Sequence, residues 1–140
     1  MLSHLPPINL ETVINRNCQI VKPDTLIMEV CECLYQSQSN CVLVSENEQL
    51  LGVFSHSDLL KLVIEKTSLN ALKVREVMTQ PSIVIKITEY YNLFDLIKLF
   101  SQNKIIDIPV VDAEDKILGI LNFYSLENGI KEGEKASQNH

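Results

Sequence analysis

The chain has 140 residues, enough for one compact domain but too few for a sensor and a separate enzyme. Hydrophobic residues make up 46% and charged residues 21%, as in ordinary globular domains, so the composition argues against a disordered or fibrous chain. The formal net charge is -6. The chain as a whole therefore repels phosphate backbones and anionic lipids, and we expect no nucleic-acid or membrane partner.

The apolar stretches are all far shorter than the roughly 20 residues that span a bilayer, and the N-terminus lacks the features of a signal peptide. A cytoplasmic location is expected. The four cysteines, Cys18, Cys31, Cys33 and Cys41, lack the paired spacing of a zinc site or a disulfide framework. We expect reduced thiols and no metal site; Cys18, at a strand entrance, is the cysteine most open to reaction.

The first predicted strand, Ile20-Val21, is followed by Thr25, a good helix N-cap. The residues after Thr25 place apolar side chains on one helical stripe: Leu26, Ile27, Val30, Cys31, Cys33 and Leu34. Residues 42–54 then form an apolar run, a polar run and a second apolar run, which predicts two buried strands joined by a tight hairpin. A helix is predicted after the hairpin, over about Ser55 to Lys66.

A polar linker, Glu65 to Ala71, and a short helical turn, Leu72 to Met78, lead to a second copy of the same pattern. Its strand at 83–85 runs through Thr88 into a helix with one apolar face: Leu93, Leu96, Ile97 and Phe100. Residues 109–121 repeat the hairpin pattern, and a weaker helix is predicted near Phe123 to Ile130.

The two hairpins carry glycines at equivalent positions, Gly52 and Gly119, which indicates that another backbone approaches each strand closely. The whole pattern predicts an α+β (mixed α/β) fold of tandem β-α-β-β-α repeats, residues 10–66 and 67–130, followed by a disordered tail, residues 131–140. Neither repeat has enough apolar surface to cover its own sheet. We therefore expect the repeats to pack sheet to sheet with pseudo-twofold symmetry, which creates two clefts.

The most informative motif is Gly52-Val-Phe-Ser55-His-Ser-Asp58, at the start of a predicted helix. Its structural interpretation is a capping box, in which the serine and the aspartate satisfy each other's backbone amides. Its functional interpretation is that a helix N-terminus attracts an anion, that the carboxylate accepts ribose hydroxyls, and that Gly52 lets a ligand approach the strand.

With this motif, the two repeats, the segment Val74-Arg-Glu-Val-Met78-Thr-Gln-Pro81 and the strand Pro109-Val-Val-Asp112, the chain resembles the cystathionine-β-synthase-type (CBS) domain pair, or Bateman module, over about residues 10 to 130. The resemblance implies that Ser55 contacts phosphate or ribose and that Asp58 holds the ribose hydroxyls. It also implies that residues of the other repeat surround the adenine: Met78, Ile83, Ile105, Ile106 and Asp107. The four apolar residues of this set, Met78, Ile83, Ile105 and Ile106, are equally compatible with plain core positions.

The chain departs from the family in two places. Many nucleotide-binding members have histidine or arginine just before the Pro-Val-Val strand, where this chain has Ile106 and Asp107. Because a carboxylate repels a polyphosphate, we expect weak selectivity for ATP, with adenosine, AMP, ADP and the cationic S-adenosylmethionine as alternatives. In the second motif Asn122 replaces the serine and Ser125 the aspartate, so one site per chain is expected.

The chain shows no nucleophile with an orienting base, so we expect no enzyme activity and no catalytic cofactor. Two function classes stay open. One is a regulatory module that senses an adenine nucleoside or nucleotide, or S-adenosylmethionine, between the repeats and transmits that state to an effector protein. The other is a ligand-free homodimerisation or partner-docking module. A homodimer is expected in either case, because the helix after Ser55 is more apolar than one buried face requires.

Overall fold

The computed structural model describes residues 6–37 and 40–126. The elements in chain order are α1 Leu10–Val13, β1 Ile20–Val21, α2 Ile27–Gln36, β2 Cys41–Glu46, β3 Gln49–Ser55, α3 His56–Ile64, a 3-10 helix Val74–Glu76, β4 Ile85–Lys86, α4 Leu93–Asn103, β5 Asp107–Val111 and β6 Ile117–Asn122. A last helix starts at Phe123 and is described as far as Leu126. The predicted β-α-β-β-α order is confirmed, while residues 127–130 of the predicted last helix and the predicted disordered tail lie outside the described residues.

Two three-stranded sheets form, in the orders β1-β2-β3 and β4-β5-β6. In each sheet the short first strand pairs in parallel with the middle strand, and the middle and third strands form an antiparallel hairpin. The register shifts after Val44 in the first hairpin and after Val110 in the second. The two sheets therefore repeat each other in connectivity and in their irregularities.

The helix starts differ in how they are capped. Ser55 caps α3 and Asn92 caps α4, each as the first residue of a capping box. The prediction of Thr25 as the N-cap of α2 is wrong, because the N-cap is the next residue, Leu26, which makes no side-chain cap hydrogen bond. The reason is tertiary, because the carbonyl of Thr25 accepts a hydrogen bond from the backbone N–H of Val74. Val74 begins the segment of residues 74–84 that leads into β4, which is called the linker below.

Each repeat has its own hydrophobic core. Ile27, Val30 and Leu34 of α2 are buried in the first, and Leu96 and Phe100 of α4 are buried in the second, as predicted. Cys31 and Cys33 pack against the first core. The predicted stripes were too wide, because Leu26 and Ile97 are each 41% exposed.

The segment that precedes the first strand of each repeat packs against the other repeat. Leu10 of α1 lies in the core of the second repeat, and Asn15 and Ile120 of β6 exchange two backbone hydrogen bonds. In the same way Val74 lies in the first core, and Thr79 exchanges two backbone hydrogen bonds with Val53 of β3. The two segments, residues 10–15 and 74–79, thus cross to the opposite repeat and extend each sheet beyond its third strand. They are called the crossed segments below.

The sheets also pack directly against each other. Cys41 and Leu43 of β2 form one buried cluster with Ile120 of β6. At the far end the two hairpin turns meet, where Lys116 pairs with Glu48 at 3.1 Å. The predicted sheet-to-sheet packing of two pseudo-symmetric repeats is thus confirmed. None of the helices in the described part of the chain is long and apolar enough to cross a membrane.

The two glycines lie where the crossed segments touch the sheets. A Cβ on Gly119 would collide with the backbone of Asn15 and Arg16, whereas a Cβ on Gly52 would meet first the Met78 sulfur at 2.8 Å and then the Thr79 carbonyl oxygen at 3.0 Å. The sequence-based expectation of a close backbone approach is confirmed at both positions. At Gly52 the approaching group is the linker of this same chain.

We expect Gly119→Ala to lower the free energy of unfolding by about 1–3 kcal/mol, because the added methyl group must displace main chain. Gly52→Ala should cost less, because the end of the Met78 side chain can move. Urea denaturation monitored by circular dichroism measures both variants. Equal costs for the two variants would contradict this explanation.

Candidate functional site

A cleft of about 490 Å³ lies between the two repeats. The first repeat contributes residues 40, 41, 53 and 55–57, the linker contributes 79–83, and the second repeat contributes 104–107 and 109. The N-terminus of α3 therefore faces the segment that leads into β5. The volume falls in the range of small-molecule sites.

Five of the seven residues predicted for the site line this cleft, and two do not. The lining residues are Ser55, Ile83, Ile105, Ile106 and Asp107. Asp58 lies in the first turn of α3, in the capping box with Ser55, and Met78 packs against the first core with its sulfur over Gly52. Gly52 is covered by this linker, which leaves the strand no room for the direct ligand approach that the motif predicts there.

The capping box of α3 is present. The backbone N–H and the hydroxyl of Ser55 donate to Asp58 Oδ2 at 2.8 and 3.0 Å, and the Asp58 N–H donates to Ser55 Oγ at 3.3 Å. Thr79 Oγ1 lies 3.5 Å from the same Oδ2. Within the described residues Asp58 Oδ1 accepts no hydrogen bond, so the cap leaves one carboxylate oxygen for another donor.

Lys104 is a cleft residue that the sequence analysis missed. It ends α4 in the left-handed conformation, with φ 53°, and among the described residues that line the cleft it is the only lysine or arginine. None of the ion pairs found in residues 6–37 and 40–126 involves Lys104. The family pattern places its basic residue immediately before Pro109, whereas Lys104 lies five positions earlier, at the C-terminal end of α4.

Asp107 has partners of its own in the protein. Its Oδ2 accepts from the Asn40 backbone N–H at 3.0 Å, and its Oδ1 accepts from Asn122 Nδ2 at 2.7 Å. The expectation from the sequence was a bare carboxylate that faces the ligand. In the structure each of its oxygens already accepts a hydrogen bond, one of them from the other repeat.

The second copy of the motif serves the structure. Asn122 is buried, and its Oδ1 accepts from the backbone N–H groups of Tyr124 and Ser125, at 2.9 and 3.4 Å, at the start of the last helix. This is the N-cap role that an asparagine performs well. Its amide nitrogen donates to Asp107, whereas the hydroxyl of Ser55 donates within its own capping box.

The cysteines have no disulfide partners. Burial raises the pKa of the Cys41 thiol from 9.0 to about 12, with a further contribution from Asp107. Burial also raises the pKa of Cys18, which disfavours a reactive thiolate at the cysteine considered most open to reaction. In the described part of the chain no group of three or more histidine, cysteine, aspartate or glutamate residues could hold a metal ion.

The model of the CBS domain family matches residues 10–65 and 74–129, and the chain therefore belongs to the CBS domain family, as a pair of such domains. The sequence is 25% identical over 118 residues to the CBS domain-containing protein CBSCBSPB1 of Arabidopsis thaliana, covering 81% of this chain and 21% of that protein. It is 28% identical over 112 residues to the inosine-5'-monophosphate dehydrogenase of Thermoplasma acidophilum, covering 79% and 21%. The chain thus spans about a fifth of the length of these two relatives.

The fold is similar to the crystal structure of CBSX2 in complex with AMP, with 30% sequence identity, a TM-score of 0.72, and coverage of 86% of this chain and 92% of that chain. CBSX2 is a CBS-pair protein of Arabidopsis thaliana. The similarity includes parts of both repeats, and CBSX2 was crystallised in complex with AMP.

Cys41 makes stability depend on pH. A thiol whose pKa is higher in the folded than in the unfolded chain stabilises the fold below the unfolded value, and this contribution is lost as pH rises through the folded value. We expect the free energy of unfolding to fall between pH 9 and about 12 and the fall to be shallower in Cys41→Ala, as measured by urea denaturation.

Val42→Ala is the matched control, because it removes the next buried side chain of β2 but no titratable group. It should lower stability at every pH and keep the wild-type slope. The same slope in Cys41→Ala as in the wild type would contradict the assignment to this thiol.

Proposed function

We propose that the cleft between the two CBS repeats binds an adenine nucleoside phosphate and that the protein is a regulatory module. The observation that carries the proposal is the convergence on one cleft of the Ser55-capped N-terminus of α3 and Lys104, which has no ion pair among the described residues. Both features attract an anion, one through the positive end of the helix dipole and one through a full charge. The AMP complex of CBSX2 supports the choice of an adenine nucleotide.

In the proposed complex the phosphate lies between Lys104 and the N-terminus of α3. The ribose lies next to Ser55 and extends past the cleft lining to Oδ1 of Asp58, a residue that does not itself line the cleft. This oxygen accepts no hydrogen bond among the described residues. The adenine contacts the apolar side chains on the opposite wall, Ile83, Ile105 and Ile106. S-adenosylmethionine is the weaker candidate, because its cationic sulfonium would lie near Lys104.

We further propose that the chain performs no catalysis itself and acts on an effector, either a separate protein or a further part of a longer chain, in the cytoplasm. Binding across two repeats favours one relative arrangement of them, and a ligand can shift that equilibrium only by its differential affinity for the two arrangements. The cleft is suited to this, because its two walls belong to different repeats.

We expect Asp58→Ala to weaken AMP binding by about 1.5 to 3 kcal/mol, roughly 10-fold to 150-fold, because the variant removes the acceptor of the ribose hydroxyls. Isothermal titration calorimetry of the purified protein with AMP, ADP, ATP, adenosine and S-adenosylmethionine measures this and ranks the ligands.

Asp95→Ala is a matched control, because Asp95 has the same place in the capping box of α4 and the start of that helix, residues 92–95, contributes nothing to the cleft. It should lose comparable helix stability and keep the wild-type affinity. If millimolar AMP, ADP, ATP, adenosine and S-adenosylmethionine all fail to bind the wild type, Ser55 and Asp58 form only a capping box, and the docking function is the better proposal.

The outer face of α3 supports a proposed homodimer. Leu60, Val63 and Ile64 lie on one face of this helix and are 61%, 60% and 77% exposed. Residues three and four positions apart form a continuous stripe, and a second copy of the chain offers the same stripe for an isologous contact. Association through this face also fits the alternative function, in which the module dimerises without a ligand.

We expect the wild type to sediment as a dimer at micromolar concentration and Leu60→Glu/Ile64→Glu to sediment as a monomer, because the variant places charges in an apolar interface. Tyr90→Glu, which changes an 88% exposed aromatic residue in the loop before α4, should stay dimeric. Analytical ultracentrifugation distinguishes these outcomes, and a wild-type monomer would exclude the proposed dimer.

A further inference from the structure

Asp107 connects the two repeats beside the cleft. Its carboxylate accepts one hydrogen bond from Asn122, at the start of the last helix, and one from the backbone N–H of Asn40, 67 positions earlier in the first repeat. We call the linked groups of Asn122, Asp107 and Asn40 the Asp107 bridge. It joins the start of the last helix, which Asn122 caps, to Asn40, the residue before β2 in the first repeat.

The direction of each hydrogen bond in the bridge is determined by chemistry. The two backbone N–H groups of Tyr124 and Ser125 can only donate, so they require Oδ1 of Asn122. Nδ2 of Asn122 must then face Asp107, and a carboxylate can only accept. Each oxygen of Asp107 therefore faces one donor, and both oxygens must be hydrogen-bond acceptors.

The bridge continues to the proposed binding site through the main chain. The carbonyl of Asn40 accepts from the backbone N–H of His56, the first residue of α3, at 3.2 Å. Asn40, Ser55 and His56 all line the cleft. The position of Asn40 thus determines how the N-terminus of α3 is presented to a ligand.

We infer that Asp107 is a positioning residue, which holds Asn40 and through it the N-terminus of α3 in the geometry that binds the ligand. This inference rests on the proposed function and replaces the expectation that the Asp107 charge repels a phosphate directly. The two explanations predict opposite changes. Loss of positioning weakens every ligand by the same factor, whereas loss of repulsion strengthens phosphorylated ligands in proportion to their charge.

The test is Asp107→Asn, which keeps the shape of the side chain but replaces one acceptor with a donor. Calorimetry with adenosine, AMP and ATP should show affinity reduced roughly tenfold for all three, since one of the two donors loses its acceptor. The rescue variant is Asp107→Asn/Asn122→Asp, which keeps the net charge. There the new amide donates to the new carboxylate, its oxygen accepts from Asn40, and aspartate still caps the helix.

Near wild-type affinity for all three ligands in the double variant supports the inference. Unchanged binding in Asp107→Asn, or binding of ATP and AMP that becomes tighter while binding of adenosine does not, overturns it. A general loss of stability does not produce this pattern, because the rescue depends on the complementarity of the two side chains.

A wild type that binds none of the ligands disproves the proposed function but not the positioning. In that case amide hydrogen exchange, followed by NMR in the protein without ligand, decides the question. The N–H groups of Asn40 and His56 should exchange faster in Asp107→Asn and return to wild-type rates in the double variant. Wild-type exchange in Asp107→Asn would then overturn the positioning role.

Discussion

The backbone exchange between the repeats is the constraint on which the rest of this structure depends. Each three-stranded sheet is extended by the segment that precedes the other repeat, through Asn15 on Ile120 and Thr79 on Val53. These contacts require strands without a Cβ at the crossing points, which is why glycines occupy both. Because each repeat holds the other's entry segment, neither can complete its own core alone.

The cleft is a consequence of this exchange. The linker that pairs with β3 goes on to form the middle of the cleft wall, residues 79–83, and thereby brings the second repeat opposite the start of α3. The walls are held by main-chain hydrogen bonds, whereas the charges in the cleft come from side chains at its edges. One is Lys104, which has no ion pair in the described part of the chain, and the other is Asp107, whose two oxygens accept hydrogen bonds from Asn40 and Asn122.

The pseudo-symmetry of the fold does not extend to the chemistry of its helix starts. Ser55 and Asn122 occupy equivalent positions and both cap a helix, but only Ser55 lines the cleft described here. The side-chain amide of Asn122 donates a hydrogen bond to Asp107, which also accepts one from the backbone N–H of Asn40 in the first repeat. A duplicated unit has thus retained one motif at the cleft and used the other for the connection between repeats.

The local pattern of the chain was sufficient for most of the fold. The period of the apolar residues predicted both helical stripes and both hairpins, and the spacing of Ser55 and Asp58 predicted the capping box, because these features depend on residues close in sequence. The widths of the stripes at Leu26 and Ile97 and the start of α2 were wrong, since tertiary contacts of neighbouring segments decide them.

The sequence by itself determined the two repeats, their order of elements, the two glycine crossings and five residues of the cleft. Only the tertiary structure decided that Met78 covers Gly52, that Lys104 faces the cleft, and that Asp107 connects the repeats through Asn40 and Asn122. The physical reason is range. Periodicity and capping act within a few residues, whereas these contacts join groups brought together when one repeat folds against the other.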